Sequence, residues 1–475
     1  MEQNLKLTKE NVMEGLCTGR LFGTNGIRGR IDELTPELAV KIALSIGTYF
    51  GGGEVMVGYD GRVTSPILFR AVISGLMASG CNVYNSGLTT TPLLQFSIKT
   101  LKLDGGVMIT ASHNPPEFNG IKVIGVDGVE IDRPEEEKIE DIFFNNKISR
   151  KPWNEVGQLR EAPNMLDEYI KSIKRNVNVK GISSMGYKVL IDPGNGVSTL
   201  TIPKLMAELN CEYDVVNGEI NGKFPGRGAE PTPQTLIEVA KIVKNGGYDL
   251  GVSYDGDGDR AIFTDDEGTV HWGDKTGAII EEHILRRKGG GIIVTPISSS
   301  KIVEEIAEKY GGRVQWTVVG SVVVSHELKR VRGVMGMEDN GGIMYPEHQY
   351  VRDGAMATAL MLDAIHEKGM KLSKIISMLP RYYSAKRKVE CKNEIKHDVI
   401  KRITAKIEVF ENYYRKEKID GIKAWLNKDT WILIRASGTE PIIRIYVEAK
   451  SAEEAEGLAL KYEDELKSII REMGG

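Results

Sequence analysis

Tyr248-Asp249-Leu250-Gly251-Val252-Ser253-Tyr254-Asp255-Gly256-Asp257-Gly258-Asp259-Arg260 runs from a largely apolar, strand-like segment into three carboxylates that alternate with glycine. Such a loop can turn all three aspartates inward, because glycine accepts tight turns that bulkier residues resist, and the strand ahead of it supplies a rigid base. An all-oxygen donor set of this kind selects Mg²⁺ or a similar hard cation. A helix-loop-helix calcium site fits poorly, since it needs Gly at the sixth position, where Arg260 stands, and a helix where a strand is expected. A solvated acidic turn has the same composition, because Asp-Gly pairs are common turn chemistry. Other segments have to decide.

Outward from this loop one pattern recurs: a β-branched run, a loop rich in Gly, Ser, Thr or Pro, then a stretch with helical spacing. It appears at Glu54 to Tyr59 before Asp60-Gly61-Arg62, at Gly106 to Thr110 before Ala111-Ser112-His113, and at Tyr187 to Ile191 before Asp192 to Gly196, with a helix expected over Leu200 to Leu209. It appears again at Gly291 to Val294, ahead of an amphipathic Ile302 to Tyr310. Glu135 to Lys138 reads as a surface helix and Lys147 to Trp153 as a connector toward a second domain. The end of the chain changes character, with strands at Ala385 to Glu390, Trp431 to Ile434 and Ile442 to Glu448 and helices at Asp398 to Phe410 and Ala452 to Met473. The predicted fold class is α/β: three related mixed α/β domains (1–158, 159–262, 263–375) plus a smaller C-terminal α+β domain (376–475).

A chain of 475 residues is long enough for several cores. Net charge is −4 with acids and bases nearly balanced, which argues against a nucleic-acid or acidic-membrane surface and leaves small molecules as the expected partners. The four cysteines, Cys17, Cys81, Cys211 and Cys391, are widely spaced and suit reduced thiols in a cytoplasm. No apolar run is long enough to span a bilayer, and Met1 to Gly15 is mixed in charge without an apolar core. None of the seven histidines forms a His-x-x-x-His pair, so a histidine zinc site is not expected. Nothing in the sequence sets an oligomeric state.

Three further loops carry chemistry. Thr110-Ala111-Ser112-His113-Asn114-Pro115 sets a hydroxyl beside an imidazole on a turn. It is not the Gly-x-Ser-x-Gly elbow of ester hydrolases, and alongside a carboxylate metal site phosphoryl transfer suits it better than acyl transfer; a turn or cap serine is the plainer alternative. A phosphoserine there would offer oxygens to the metal, and Lys122, on the strand-like Gly120 to Ile124, is placed to act as acid or base. Arg435-Ala436-Ser437-Gly438-Thr439-Glu440-Pro441, between two strands, offers a guanidinium fork, hydroxyls and a glycine for an anion, or simply a hairpin turn. Glu338-Asp339-Asn340-Gly341-Gly342 offers carboxylate and amide groups suited to neighbouring sugar hydroxyls.

In order and spacing these four loops resemble those of the α-D-phosphohexomutase superfamily, and the resemblance covers nearly the whole chain. Phe22-Gly23-Thr24-Asn25-Gly26-Ile27-Arg28-Gly29 is similar to that family's opening motif. The resemblance implies four domains around a central cleft, each contributing a loop. It implies Ser112 as phosphorylated serine and metal ligand, Asp255, Asp257 and Asp259 as Mg²⁺ ligands, and Arg28, Arg260, His113 and Lys122 around the reacting group. Glu338 and Asn340 would read the sugar, and Arg435, Ser437, Gly438 and Thr439 would hold the substrate phosphate. Where bacterial members often have Glu-x-Ser-Gly-His, this chain has Asn340 for the serine and Gly342 for the histidine, as in archaeal members. The acid/base role of that histidine then has no owner in the loop, and His113 or His348 is a substitute.

The expected reaction interconverts hexose 1-phosphate and hexose 6-phosphate through phosphoserine and a hexose 1,6-bisphosphate, with glucose and mannose phosphates favoured and phosphoglucosamine mutase as the alternative. A sugar-phosphate phosphatase, with water attacking phosphoserine, is the more distant reading, and a non-catalytic sugar-phosphate sensor ranks last.

Overall fold

The computed structural model describes residues 20–23, 25–409, 413–437 and 441–474. Its first three units share one sheet plan. Strands Asn82–Leu88, Glu54–Tyr59 and Gly105–Ile109 lie side by side and parallel, and Phe118–Ile124 then pairs antiparallel with Gly105–Ile109. The second unit repeats this with Glu212–Val215, Lys188–Asp192 and Leu250–Tyr254, followed by antiparallel Ala261–Asp265. The third repeats it with Gly312–Thr317, Gly291–Pro296 and Met335–Met337, then Ile343–Tyr345. The Ser112, Asp255 and Glu338 loops therefore occupy one topological position: each leaves the carboxyl end of the third parallel strand and returns antiparallel to it. Loops beyond the carboxyl ends of parallel strands are where open α/β sheets place ligands. The fourth unit is a five-stranded antiparallel sheet with helices Asn393–Val409 and Ala452–Glu472, whose apolar faces share its core.

Each expected domain division moves. Leu159–Glu161 pairs parallel with Asn82–Leu88, so the segment after Lys147 returns to the first sheet instead of leading directly away from it. A division after residue 262 would cut Ala261–Asp265, and one after 375 would cut the helix Leu372–Ser377. The helix expected from Leu200 begins at Ile202, after a tighter turn over Val197–Leu200, with proline in its first turn. Cys81, Cys211 and Cys391 are buried free thiols; Cys17 and Met1 to Gly15 lie outside the described residues. No helix among the described residues is long and apolar enough to cross a membrane.

The joint between the third and fourth units is built on a fully buried lysine. Lys423 Nζ lies 3.8 Å from the ring centre of Trp431, 4.5 Å from Trp316 and 4.9 Å from Trp425, and donates to the Ile297 carbonyl at 2.8 Å. Burial pulls its pKa down to about 7, with Glu448 opposing. An unfolded lysine keeps its proton to about pH 10.4, so above about 7 the unfolded chain binds more protons than the folded one. Stability from this group therefore rises with pH, by at most about 1.4 kcal/mol per unit. The gap in unfolding free energy between the parent and Lys423→Met is expected to widen in the parent's favour from about pH 6.5 to 9.5 in urea titrations. A pH-independent gap would contradict this.

Candidate active site

Two glycine-dependent geometries bring the aspartates together. Gly258 has φ +79°, a conformation that L side chains rarely adopt, and a Cβ at Gly256 would meet the Ser112 carbonyl oxygen at 2.6 Å. Asp255, Asp257 and Asp259 are buried, and one carboxylate oxygen from each lies within 4.8 Å of the others. Ser112 Oγ donates to Asp255 Oδ2 at 2.7 Å, so the first and second units meet at the serine. Thr91, the first residue of helix Thr91–Leu101, donates to Asp257 Oδ2 at 2.6 Å.

Lys122 reaches the cluster from strand Phe118–Ile124, 2.9 Å from Asp257 and 3.5 Å from Asp259. Burial disfavours its charge, but Asp257, Asp259 and Glu130 outweigh that and raise its pKa, so in this state it is an ammonium ion and a proton donor. Burial also opposes ionisation of Asp257, yet Lys122 and the hydrogen bonds from Thr91 and Lys122 hold it below the ordinary carboxylate range. Asp255 goes the other way: burial and the charges of Asp259 and Asp257 push it well above that range.

Ser112 stands in left-handed backbone, φ 50°, a strained state held by its surroundings. Its amide donates to Thr110 Oγ1 at 2.8 Å. The main support is Arg62, buried under the loop. Its guanidinium donates to the carbonyls of Ser112 (2.8 Å), Asn114 (2.7 Å), Pro115 (2.7 Å) and Phe118 (2.9 Å) and pairs with Asp60 at 3.1 Å. Asp60 in turn accepts from Ser65 and Thr110. Sequence reading placed Asp60-Gly61-Arg62 after a strand but gave it no role; an Asp-x-Arg pair at a strand end was the available signal.

Arg28 donates to Asn114 Oδ1 at 2.6 Å, and Arg260 lies 3.8 Å from Asp259 and 3.9 Å from Asp255. His113 is half-buried, and its buried Nδ1 has no hydrogen-bond partner among the described residues. Burial, then Arg260, Arg28 and Arg352, lower its pKa well below the usual 6.5, which leaves a neutral imidazole. His348 makes no hydrogen bond to Ser112 among the described residues. Both its ring nitrogens are engaged, with Ser172 and Asp353, and it stacks on Phe96, so it serves a junction of three units.

Glu338 is buried, and its loop is closed by a bond from its own amide to the Gly342 carbonyl at 2.9 Å. Asn340 Oδ1 accepts from the Gly342 amide at 3.1 Å, which fixes its side chain within the loop. Lys386 of the fourth unit reaches Asp339 at 2.9 Å. Arg435 pairs with Asp420 at 2.7 Å, and Lys396 donates to the Ser437 carbonyl at 2.6 Å. Gly438 and Thr439, and Thr24 of the opening motif, lie outside the described residues.

Comparison with known proteins adds the family. Models described as phosphoglucomutase/phosphomannomutase alpha/beta/alpha domains I, II and III match residues 19–150, 167–268 and 272–383, and the C-terminal domain model matches 387–465. The chain belongs to the phosphoglucomutase/phosphomannomutase family. This phosphohexomutase is 43% identical, over 95% of its length and 99% of the other, to a phosphoglucosamine/phosphogalactosamine mutase of Sulfurisphaera tokodaii. It is 42% identical to a phosphoglucomutase/phosphomannomutase of Thermococcus kodakarensis, over 92% of its own length and 96% of that protein. In fold it is similar to the crystal structure of a phosphoglucomutase/phosphomannomutase family protein from Burkholderia thailandensis, with TM-score 0.83 and 24% identity over 94% of this chain and 97% of that one.

Proposed function

We propose that this phosphohexomutase interconverts the 1- and 6-phosphates of a hexose through a phosphoserine at Ser112 and a hexose 1,6-bisphosphate. The observation that carries the reading is the Ser112 hydroxyl, 2.7 Å from Asp255, on a buried carboxylate cluster faced by Lys122 and Arg260. In the forward half, the bond from phosphorus to Ser112 Oγ breaks as one forms to a free hexose hydroxyl. Neutral His113 accepts the hydroxyl proton, and the Lys122 ammonium donates to the departing serine oxygen. The second half runs the same exchange in reverse from the other end of the sugar. Arg28 and Arg260 compensate the charge on the phosphoryl oxygens, and the Arg435 loop holds the distal phosphate.

Asp257 Oδ1 and Asp259 Oδ1 are buried without hydrogen-bond partners among the described residues, and with Asp255 they form an all-oxygen set that fits Mg²⁺. The three aspartates and the Ser112 oxygen would hold Mg²⁺ there, and the bound ion would supply charge neutralisation to the transferring group. Chelation with EDTA is expected to slow turnover about a hundredfold or more and added Mg²⁺ to restore it; full activity after exhaustive chelation would count against the assignment.

The favoured sugars are glucose and mannose, whose phosphates a loop reading O3 and O4 treats alike. Glucosamine is the second reading, supported by the name of the Sulfurisphaera tokodaii relative. The test is ³¹P NMR with Mg²⁺, a trace of hexose bisphosphate and each 1-phosphate separately. Conversion to 6-phosphate ranks the sugars, whereas release of inorganic phosphate makes the protein a phosphatase.

A further inference from the structure

The space beside Gly342 is already taken. A Cβ there would lie 2.4 Å from Cδ and 3.0 Å from Cγ of Arg352, which comes from strand Gln349–Arg352 and is only 5% exposed. The guanidinium forks between two loops. Nη1 donates to Glu338 Oε2 at 3.1 Å, and Nη2 donates to Asp259 Oδ2, whose other oxygen has no hydrogen-bond partner. One side chain thus ties the sugar loop of the third unit to the aspartate loop of the second.

We propose that Arg352 is a positioning residue for the sugar: it aims Glu338 at the hexose hydroxyls by anchoring it to Asp259, and Gly342 is the residue that leaves it room. The inference rests on the hexose-phosphate reading above. A planar guanidinium can hold two carboxylates at once, while a lysine ammonium on a flexible stem holds one in that geometry at a time. Freed from its anchor, Glu338 turns among several rotamers and meets the sugar only part of the time. Arg352 does not itself contact the transferring group in this scheme, so its loss acts on sugar binding more than on chemistry.

The test uses the full chain and four variants: Arg352→Lys, Arg352→Met, Gly342→Ala and the double variant Gly342→Ala with Arg352→Met. Glucose 6-phosphate and glucosamine 6-phosphate binding are measured by calorimetry, Mn²⁺ binding by electron spin resonance, and kcat and KM with the better sugar. Arg352→Lys and Arg352→Met are expected to weaken sugar-phosphate binding and raise KM about tenfold or more, with kcat within about threefold. Gly342→Ala is expected to do the same by pushing the arginine aside, and to add less than about twofold on the Arg352→Met background, since both remove one contact. Mn²⁺ affinity in Arg352→Lys is expected to stay within about threefold of the parent. Unchanged sugar binding in both arginine variants overturns the proposal, as do effects of the two sites that multiply, or a loss confined to Mn²⁺ binding. Should the parent itself bind neither sugar phosphate, the functional reading fails first; a parent that binds and variants that bind equally well reject the role of Arg352 alone.

Discussion

Ser112→Ala is expected to yield a protein that melts within a few degrees of the parent yet converts hexose phosphate at least about a thousandfold more slowly, because the group that carries the phosphoryl is gone. The change deletes one oxygen, whose hydrogen-bond partner among the described residues is Asp255. Asp255 keeps the hydrogen bond from the Arg260 amide at 3.1 Å, so the carboxylate is not left bare and the fold tolerates the loss. The Arg62 contacts to the loop run through backbone carbonyls and survive the substitution. Incubation with radiolabelled hexose 1,6-bisphosphate should label the parent and leave the variant unlabelled. Mutase activity above about a tenth of the parent's would remove Ser112 from the mechanism.

Arg62→Met should produce the largest stability loss outside the hydrophobic cores, about 3–5 kcal/mol, because it leaves Asp60 buried without its counter-charge and four loop carbonyls without their donor. Activity should fall as well, since the loop loses the guanidinium that helps to hold Ser112 in its left-handed backbone. The paired change Asp60→Asn with Arg62→Met should recover part of the stability without recovering the activity, because the charge imbalance is relieved but the loop remains unsupported. Urea denaturation and steady-state rates on the same preparations separate the two effects. Equal recovery of both would mean that the ion pair matters to folding alone.

The strand-loop-helix repeats and the four chemical loops were legible because their signals are local: alternating Asp and Gly, a hydroxyl beside a histidine, a strand ending in Ser-Gly-Thr. Lys122 was legible too, one strand beyond the serine, although its proton-donor state depends on Asp257 and Asp259 far along the chain. Arg62 and Arg352 were not, because each has a deciding partner 50 or more residues away (Ser112, Asp259); the Asp-x-Arg pair at a strand end was the one local signal for Arg62, and Arg352 sits in no pattern that distinguishes it from a surface arginine. The domain divisions slipped for a related reason. A short strand such as Leu159–Glu161 has no apolar periodicity of its own and is defined only by the neighbour it pairs with. Of the two histidines offered as substitutes in the sugar loop's acid/base role, His348 has its ring engaged with Ser172 and Asp353, contacts that no local pattern announces.

The lysine enclosed by three indoles has a mechanical meaning. On that side the fourth unit is riveted to the third through Lys423, Trp316, Trp425 and Trp431, and through Arg415 to Glu304 at 2.7 Å. At the sugar loop the bridge is Lys386 to Asp339, a half-exposed ion pair of the kind worth about 0–1 kcal/mol. A door with one edge pinned and the other held by a weak latch swings about the pin: parting the two units at the sugar loop would leave the indole box filled, and the bisphosphate of the proposed reaction would meet little resistance at the latch as it turned.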